Sequence, residues 1–293
     1  MITYNHEKFI RQAVESVLAQ NFDSNFELVI SNDNSQDNTH NIVQEIIKTH
    51  PLGGKIKYFK HKKNLGMMSN FIFAIEICKG NYIALCEGDD YWTDPLKLNK
   101  QISFLERNLE YAACFTNAKI INEHENSSKK FVKSLKNNYP SNEIVKLGGG
   151  FFPTASLVFR NQEIIFPKFM YQAMSGDYSL ALLLACRGDF YYLDNVTCVY
   201  RMHGGGVFTS IKDDKKIRTR INFNSIELLK NFNEFSNFKF KQEVRITISS
   251  LSKKILLRNK LRLETSLLFN LMSNLSARDN FSVIFNLFRP KIP

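Results

Sequence analysis

The first 120 residues alternate between helix-like and strand-like patterns, and this alternation restricts the fold more than any other feature. Apolar residues at helical spacing occur in four segments, at residues 10–18, 42–47, 71–78 and 98–105. Short apolar runs typical of strands lie between and after them, at residues 26–30, 56–59, 82–86 and 111–115. Strands that alternate with helices favour crossover connections. We therefore predict an α/β domain with a mostly parallel central sheet flanked by helices.

Positive charge is concentrated in the last third of the chain. Residues 1–210 hold 22 lysines and arginines against 21 aspartates and glutamates, whereas residues 211–293 hold 17 against 7. We therefore expect a domain over residues 1–210 and a basic helical appendage over residues 211–293. Such an appendage could pack on the domain or bind an anionic membrane surface. It shows no recognised nucleic-acid motif, so nucleic acid is not an expected partner.

Three observations bear on the class of protein. No apolar stretch approaches the roughly 20 residues of a membrane-spanning helix. No secretory signal is visible. The five cysteines are odd in number and form no C-x-x-C pair, which favours reduced, buried thiols. We expect a cytoplasmic protein, and the inner face of the cell membrane is the surface that the basic segment would reach.

The amino end of the sequence lacks an element that the predicted fold requires. Thr3, Tyr4 and Asn5 already form a turn, and a helix follows directly. A β-α-β fold places an apolar strand before such a turn, and only Met1 and Ile2 stand there. We therefore expect the first strand to be truncated. Farther along, three consecutive glycines at 148–150 predict a flexible joint.

Paired carboxylates follow the apolar run at residues 82–86, in the sequence Glu87-Gly88-Asp89-Asp90-Tyr91-Trp92. In α/β sheets, ligands bind outside the carboxyl ends of the strands. Carboxylates packed together there are costly unless a positive charge lies between them. This pattern predicts a divalent cation and, behind it, a phosphate-bearing substrate. The alternative is a solvated acidic turn ahead of the helix that Asp94-Pro95 would begin.

Three further polar segments occur at corresponding places: Thr3-Tyr4-Asn5, residues 31–39, and residues 174–178 with 200–203 beyond them. In this order and spacing, the four segments resemble the inverting family 2 glycosyltransferases of GT-A fold, over roughly residues 1–208. Residues 87–98 are especially similar to bacterial members that build surface polysaccharides. The resemblance implies that a nucleotide sugar, UDP-linked, donates its sugar to a glycan or lipid-linked acceptor hydroxyl with Mg²⁺ or Mn²⁺ bound.

The resemblance also implies a role for each matching residue. Tyr4 would stack on the nucleobase, and Asp33 would accept a hydrogen bond from its edge. Asp89 would face the ribose or sugar, Asp90 would bind the metal ion, and His203 would complete the metal shell. Asp177 falls where the family places its catalytic base. The remaining donor-site residues would be Thr3, Asn5, Asn64, Gly66 and Arg201.

Several of these residues have simpler explanations. Asp177 could cap the following helix, His203 could be a solvated loop histidine, and Arg201 could be a surface arginine or a phosphate clamp. Trp92 could pack in the core or form an acceptor platform. Two positions depart from the family pattern: Asn32 replaces an acidic residue, and Glu87 replaces a frequent aspartate. One alternative function is a non-catalytic protein that binds a nucleotide sugar or acts as a scaffold, with a basic tail that binds a membrane or nucleic acid. A second is a protein whose basic tail binds nucleic acid.

Overall fold

The computed structural model describes residues 1–22, 24–122, 125–133, 136–162, 164–206, 214–259, 265–276, 279 and 283. The chain forms two compact units, Met1–His203 and Gly204–Pro293. The first is an α/β unit and the second is helical in its described part. Leu261 and Leu263, which the sequence suggests as apolar helix positions, lie outside the described residues.

Helices and strands alternate through the first part of the α/β unit, as the apolar pattern predicts. They are β1 (Ile2–Thr3), α1 (Ile10–Leu18), β2 (Leu28–Asn32), α2 (Thr39–Thr49), β3 (Ile56–Lys60), α3 (Met67–Glu76), β4 (Tyr82–Ala84), β5 (Tyr91–Trp92) and α4 (Lys97–Arg107). The rest of the unit contains β6 (Tyr111–Asn122), β7 (Glu125–Lys130), β8 (Asn138–Tyr139), α5 (Ser141–Leu147), β9 (Val158–Arg160), α6 (Gly176–Ala185) and β10 (Asp189–Met202).

The strands form two sheets. The first has the order β1–β2–β3 and is parallel throughout, in agreement with the predicted crossover connections. The second has the order β4–β9–β6–β10–β5, with β7 beside β6 and β8 beside β10. In this sheet β6 and β10 are parallel and the other pairs are antiparallel. Parallel pairing of consecutive strands requires crossover connections, which usually contain a helix. The second sheet is mostly antiparallel because most of its strands follow α4, where the regular alternation of helices and strands ends.

Strand β10 is longer than its sequence suggests. The apolar pattern predicts separate strands at residues 190–193 and 198–200, but one strand spans Asp189–Met202. Its register against β6 shifts between Leu193 and Val196 and again before Cys198. This irregular, partly exposed stretch interrupts the apolar pattern without ending the strand. As a result, β10 continues to the residues that precede His203.

Amphipathic helices build the core against the sheets. The buried face of α1 follows the i, i+3, i+4, i+7 spacing of a helix packed on one side: Ile10, Ala13, Val14, Val17 and Leu18. Trp92 belongs to the same core cluster, and its indole N–H donates to the carbonyl of Ala155 at 2.8 Å. The structure therefore places Trp92 in the core. The five cysteines are free thiols, and three of them are buried.

The second unit consists of α7 (Lys215–Phe235), α8 (Lys241–Asn259) and α9 (Thr265–Ser273). Asp214 caps α7, since its Oδ1 accepts hydrogen bonds from the amides of Lys216 and Ile217. The rings of Phe232 and Phe240 stack at 5.7 Å and join α7 to α8. Among the described helices, none combines the length and apolar character that crossing a bilayer would require.

A cavity of about 270 Å³ touches both sheets. It is lined by Leu28 and Val29 of β2, by all three residues of β4, and by apolar side chains of α3. Strand β1 pairs with β2 only at Ser31 and Asn32. The terminal amine of Met1 also donates to the carbonyl of Val29 at 2.7 Å. Within the described residues, Leu28 at the start of β2 therefore pairs with β3 alone. β4 likewise ends its own sheet, so two strand edges border the cavity.

An apolar segment added ahead of Met1 is expected to stabilise the α/β unit. It would continue β1 beside Val29 and Leu28 and place apolar side chains in the cavity. Burial of two such side chains, less the entropy of ordering them, amounts to about 2 kcal/mol, or about 5 °C in Tm. Thermal melts should show this rise for a Val-Ile-Val-Ile extension and not for Asp-Ser-Gly-Asp. Equal melting of both variants would contradict pairing at this edge.

Candidate active site

Three carboxyl groups lie in the turn between β4 and β5. Burial raises the pKa of Glu87 to about 8, and the charge of Asp89 adds to the rise. Asp90 is only 2% exposed, and burial raises its pKa well above the usual range, with Glu87 and Asp89 adding to the effect. At neutral pH Glu87 is therefore mostly protonated. Its Oε2 atom is buried and has no hydrogen-bond partner among the described residues.

Asp89 is the exception in this turn, because two histidines face it. Burial would raise its pKa, but the hydrogen bond from His203 and the proximity of His6 lower it below the usual range. His203 Nε2 lies 3.0 Å from Asp89 Oδ2, and His6 Nε2 lies 3.7 Å from the same atom. Asp89 is thus the ionised carboxylate of the turn, and His203 contacts it through Nε2.

Arg201 holds the turn from the end of β10. Its backbone N–H donates to Asp90 Oδ1 at 2.8 Å, and its Nη1 donates to the carbonyl of Asp89 at 2.6 Å. Nη2 donates to the side chain of Gln12 on α1. The guanidinium lies between the rings of Phe9 and Tyr91, at 5.1 and 4.5 Å from their centres. Arg201 therefore holds the acidic turn in place, and its contact with a donor stays a prediction.

Gly88 allows this turn to pack against β1. Its N–H donates to the carbonyl of Ile2 at 2.9 Å. A Cβ at position 88 would lie 2.7 Å from Thr3 Oγ1 and 2.9 Å from His6 Nδ1, so any side chain would force these groups apart. Among the described residues, neither of these two polar atoms has a hydrogen-bond partner.

A second group of predicted residues forms beyond β2. Both oxygens of Asp33 accept backbone hydrogen bonds, from Leu65 at 2.6 Å and from Gly66 at 3.0 Å. Asn64 Oδ1 accepts from the same Gly66 amide, and Gly66 has a φ of +86°, which favours glycine. Asp33 therefore fixes the loop at 64–66. Its contact with a nucleobase stays a prediction.

The turn that carries Tyr4 is linked to this group. Tyr4 is 44% exposed, so its ring is open to a stacking partner. Asn5 has a φ of +56°, and its side-chain oxygen accepts from the amide of Gln36. Asn32, the first departure from the family pattern, accepts from the Ser35 amide and donates its own N–H to Tyr58. The amide at position 32 thus acts as acceptor for one neighbour and as donor for another.

Asp177 lies in the first turn of α6, one residue after its start. The helix is preceded by Ser175 at the N-cap position, so Asp177 is not the N-cap. Its Oδ1 accepts from the Ser175 hydroxyl and the Tyr178 amide, and its Oδ2 accepts from the amide of Gly150 at 2.8 Å. The charge of Asp177 contributes to the raised pKa of Glu87, which puts it in electrostatic contact with the acidic turn.

The glycines at 148–150 form one wall beside Asp177. Gly148 and Gly150 have φ values of +77° and +78°, which other residues rarely adopt. At Gly149 a Cβ would lie 2.7 Å from Ser175 Oγ and 3.0 Å from Asp177 Oδ2. This segment therefore approaches the carboxylate as bare backbone.

Two groups of predicted site residues come together in the structure. Around the acidic turn lie Thr3, Asp89, Asp90, Arg201 and His203, and a second group consists of Asp33, Asn64 and Gly66. The Asn5 amide donates to Ser35, whose own amide donates to Asn32, the residue before Asp33. Three further residues at the turn, His6, Phe9 and Gln12, were not predicted from the sequence. Two signals point to them: His6 directly follows the Tyr4-Asn5 turn, and Phe9 and Gln12 are three residues apart on one helix face.

The family model described as glycosyl transferase family 2 matches residues 1–165. An uncharacterized protein of Mycobacterium tuberculosis is 33% identical over 215 residues, which are 73% of this chain and 61% of that protein. The chain thus spans about three fifths of the length of the curated relatives at this level of identity. The Escherichia coli UDP-Glc:alpha-D-GlcNAc-diphosphoundecaprenol beta-1,3-glucosyltransferase WfaP is 36% identical over 103 residues, 35% of this chain and 38% of that protein.

Two solved structures share the fold. Staphylococcus aureus TarS 1–349 in complex with UDP-GlcNAc superposes with a TM-score of 0.66 at 15% identity, covering 97% of this chain and 85% of that one. The mannosyltransferase PcManGT of Pyrobaculum calidifontis, in complex with GDP-Man and Mn²⁺, gives 0.55 at 12% identity, covering 97% and 82%. At these identities the similarity shows the GT-A fold alone.

Replacement of Arg201 by methionine is expected to loosen the acidic turn. The variant keeps an unbranched apolar stem but leaves the Asp89 carbonyl and the Gln12 side chain without their donor. Loss of such charge-assisted bonds costs about 2 kcal/mol, or about 5 °C in Tm. Thermal melts would measure this against Arg11→Met, a half-buried arginine on the same helix as Gln12. A similar, small effect of both substitutions would show that Arg201 does not hold the turn.

Proposed function

The chain belongs to glycosyl transferase family 2, and from this premise we propose that it transfers a sugar from a nucleotide-sugar donor to an acceptor hydroxyl, with inversion at the anomeric carbon. The observation that carries this proposal is the arrangement around Asp89. The Asp89 carboxylate is ionised and has His203 beside it. Asp177, a second carboxylate on another element, lies close enough to the same turn for both charges to raise the pKa of Glu87. Inverting transfer needs these two parts, a place for the diphosphate with its counter-charge and a base for the acceptor.

A divalent cation fits the first part. Asp89 Oδ2 and His203 Nε2 are 3.0 Å apart. Without the proton that they share in this hydrogen bond, the Asp89 carboxylate and the His203 imidazole would hold one Mg²⁺ or Mn²⁺ ion. Asp90, in the same turn, stays a predicted ligand, although Arg201 already donates to one of its oxygens.

The ion would share its ligands with the donor. Within the described residues, no three acidic, histidine or cysteine side chains converge as a complete metal cage. Mg²⁺ commonly takes one or two protein carboxylates and fills its shell with substrate phosphates and water. When bound, the cation would neutralise the negative charge that grows on the departing diphosphate. Tyr4, with its exposed ring, would stack on the base of the same nucleotide.

Asp177 would act as the base. Its carboxylate accepts three hydrogen bonds from the chain, which fix its orientation. An ionised carboxylate offers about four acceptor positions, so one remains for the acceptor hydroxyl. As the hydroxyl oxygen bonds to the anomeric carbon, its proton passes to Asp177 and the bond to the diphosphate breaks. Attack from the side opposite the leaving group inverts the anomeric centre, and the reaction needs no protein nucleophile.

The donor and acceptor classes are finer parts of the proposal. The name of the WfaP relative specifies a UDP-linked sugar and an acceptor on diphosphoundecaprenol. This supports a UDP-linked donor, a lipid-linked acceptor, and a role in building a bacterial surface polysaccharide on the cytoplasmic side of the membrane. The PcManGT structure holds GDP-Man on the same fold, so the fold by itself does not select the nucleotide.

Metal-dependent donor binding is expected to require the acidic turn. UDP with Mn²⁺ should raise the Tm, since a ligand at 100 times its Kd stabilises a protein by about 2.7 kcal/mol. GDP, CDP and TDP, each with and without Mn²⁺, complete the panel. Asp89→Asn and Asp90→Ala should abolish the shift, and the exposed Asp194→Asn should keep it. If no nucleotide gives a metal-dependent shift, the donor site is refuted.

Asp177→Asn is expected to separate binding from transfer. The amide keeps the size of the side chain but cannot take a proton, so kcat should fall by about 10²–10⁴-fold. The shift with UDP and Mn²⁺ should stay unchanged. Radiolabelled sugar transfer to a lipid-linked acceptor would measure the rate, with Asp194→Asn as control. Full activity in Asp177→Asn would rule out the base, whereas donor binding without turnover in the unmodified chain would indicate a non-catalytic binding protein.

A further inference from the structure

The first helix of the α/β unit begins with an aromatic residue. Phe9 occupies the N-cap position of α1, where serine, threonine, aspartate or asparagine is preferred because its side chain can accept a hydrogen bond from the helix. A phenyl ring cannot accept such a bond, and the amides of Phe9 and Ile10 donate to the carbonyl of His6. A residue that breaks a local preference in this way is expected to act elsewhere in the structure.

The half-buried ring of Phe9 contacts two residues that hold the acidic turn. Its centre lies 4.6 Å from the centre of the His203 imidazole, with an angle of 51° between the ring planes. It also lies 5.1 Å from the guanidinium carbon of Arg201. Both distances are typical of favourable ring–ring and cation–ring contacts. Since His203 and Arg201 are the residues that reach Asp89 and Asp90 from the end of β10, Phe9 contacts both supports of the turn.

The position of His203 in the chain makes a packing contact important for its orientation. Strand β10 ends at Met202, so His203 lies one residue beyond the strand, and a glycine follows it. An imidazole turns about two side-chain torsions, and the second of these has broad energy minima. A hydrogen bond through one ring atom, such as the contact of Nε2 with Asp89, leaves the ring free to rotate about that bond. The ring of Phe9, packed against the imidazole, removes this freedom.

We propose that Phe9 is a positioning residue: its ring fixes the orientation of the His203 imidazole, so that Nε2 is directed at Asp89 and at the place of the cation between them. A phenyl ring offers no ligand atom, so Phe9 acts only through His203 and Arg201. Groups outside the ligand shell that orient a ligand typically change metal affinity by about 10–100-fold. This inference deepens the proposed function, and it rests on that function for the cation alone.

The affinity of the whole chain for Mn²⁺, measured by isothermal titration at a fixed, high UDP concentration, tests this role. Phe9→Leu keeps an apolar side chain but not the flat ring, and should weaken Mn²⁺ binding by about tenfold or more. Phe9→Tyr keeps the ring and should bind as the unmodified chain does. The matched control is Phe104→Leu, because half-buried Phe104 stacks at 4.4 Å on Tyr191, ten residues before Arg201 on β10. Equal Mn²⁺ affinity in the two leucine variants would overturn the proposal.

Imidazole NMR of the metal-free chain, with its histidine nitrogens labelled, gives a second readout that needs no metal ion. Ionised Asp89 can only accept, so Nε2 of His203 should carry a proton that this hydrogen bond protects from exchange. Phe9→Leu should broaden the signal of this proton, assigned with His203→Gln, whereas Phe104→Leu should leave it unchanged. An unchanged signal in Phe9→Leu would also overturn the proposal. If no nucleotide gives the unmodified chain a metal-dependent Tm shift, the proposed function fails by itself, and the signal still decides the role of Phe9.

Discussion

The acidic turn after β4 can exist only because opposite charge and hydrogen-bond donors are brought to it from the end of β10. Carboxyl groups packed together away from water repel one another and favour protonation. The backbone N–H of Arg201 donates a hydrogen bond to Asp90, and the imidazole of His203 lies within hydrogen-bond distance of Asp89. They reach the turn because β5 and β10 are paired, with Tyr91 opposite Val199. The pairing of two strands that are far apart in sequence therefore decides which carboxyl group stays ionised.

Much of this arrangement could be predicted from local patterns. The alternation of apolar runs indicates the α/β class and the parallel first sheet, because both depend on residues close together in sequence. The acidic turn and the Tyr4 turn stand out because polar residues directly follow an apolar run, and Asp177 stands out because it shortly precedes one. The resemblance to a known family adds the order and the spacing of these segments, and the family match confirms that resemblance.

The parts that the sequence could not predict depend on partners that are distant in the chain. The position of Arg201 near the rings of Phe9 and Tyr91 requires three elements to meet, and the local sequence of none of them predicts this contact. The same holds for Asn32, whose side-chain amide donates to the hydroxyl of Tyr58 on a neighbouring strand. The register shifts of β10 between Leu193 and Cys198 interrupt the apolar pattern, so one long strand looks like two short apolar runs. In each case the missing information is a long-range contact.

The three glycines beside Asp177 have a consequence for how this site can diversify. Positions 148 and 150 are closed to other residues by their backbone conformation, and position 149 is closed by lack of space. Mutation therefore has almost no means of placing a new functional group on this side of the carboxylate. New side chains around this site would have to come from other segments, while the backbone beside the Asp177 carboxylate stays chemically constant. Variation of the site and constancy next to this carboxylate thus belong to different parts of the polypeptide.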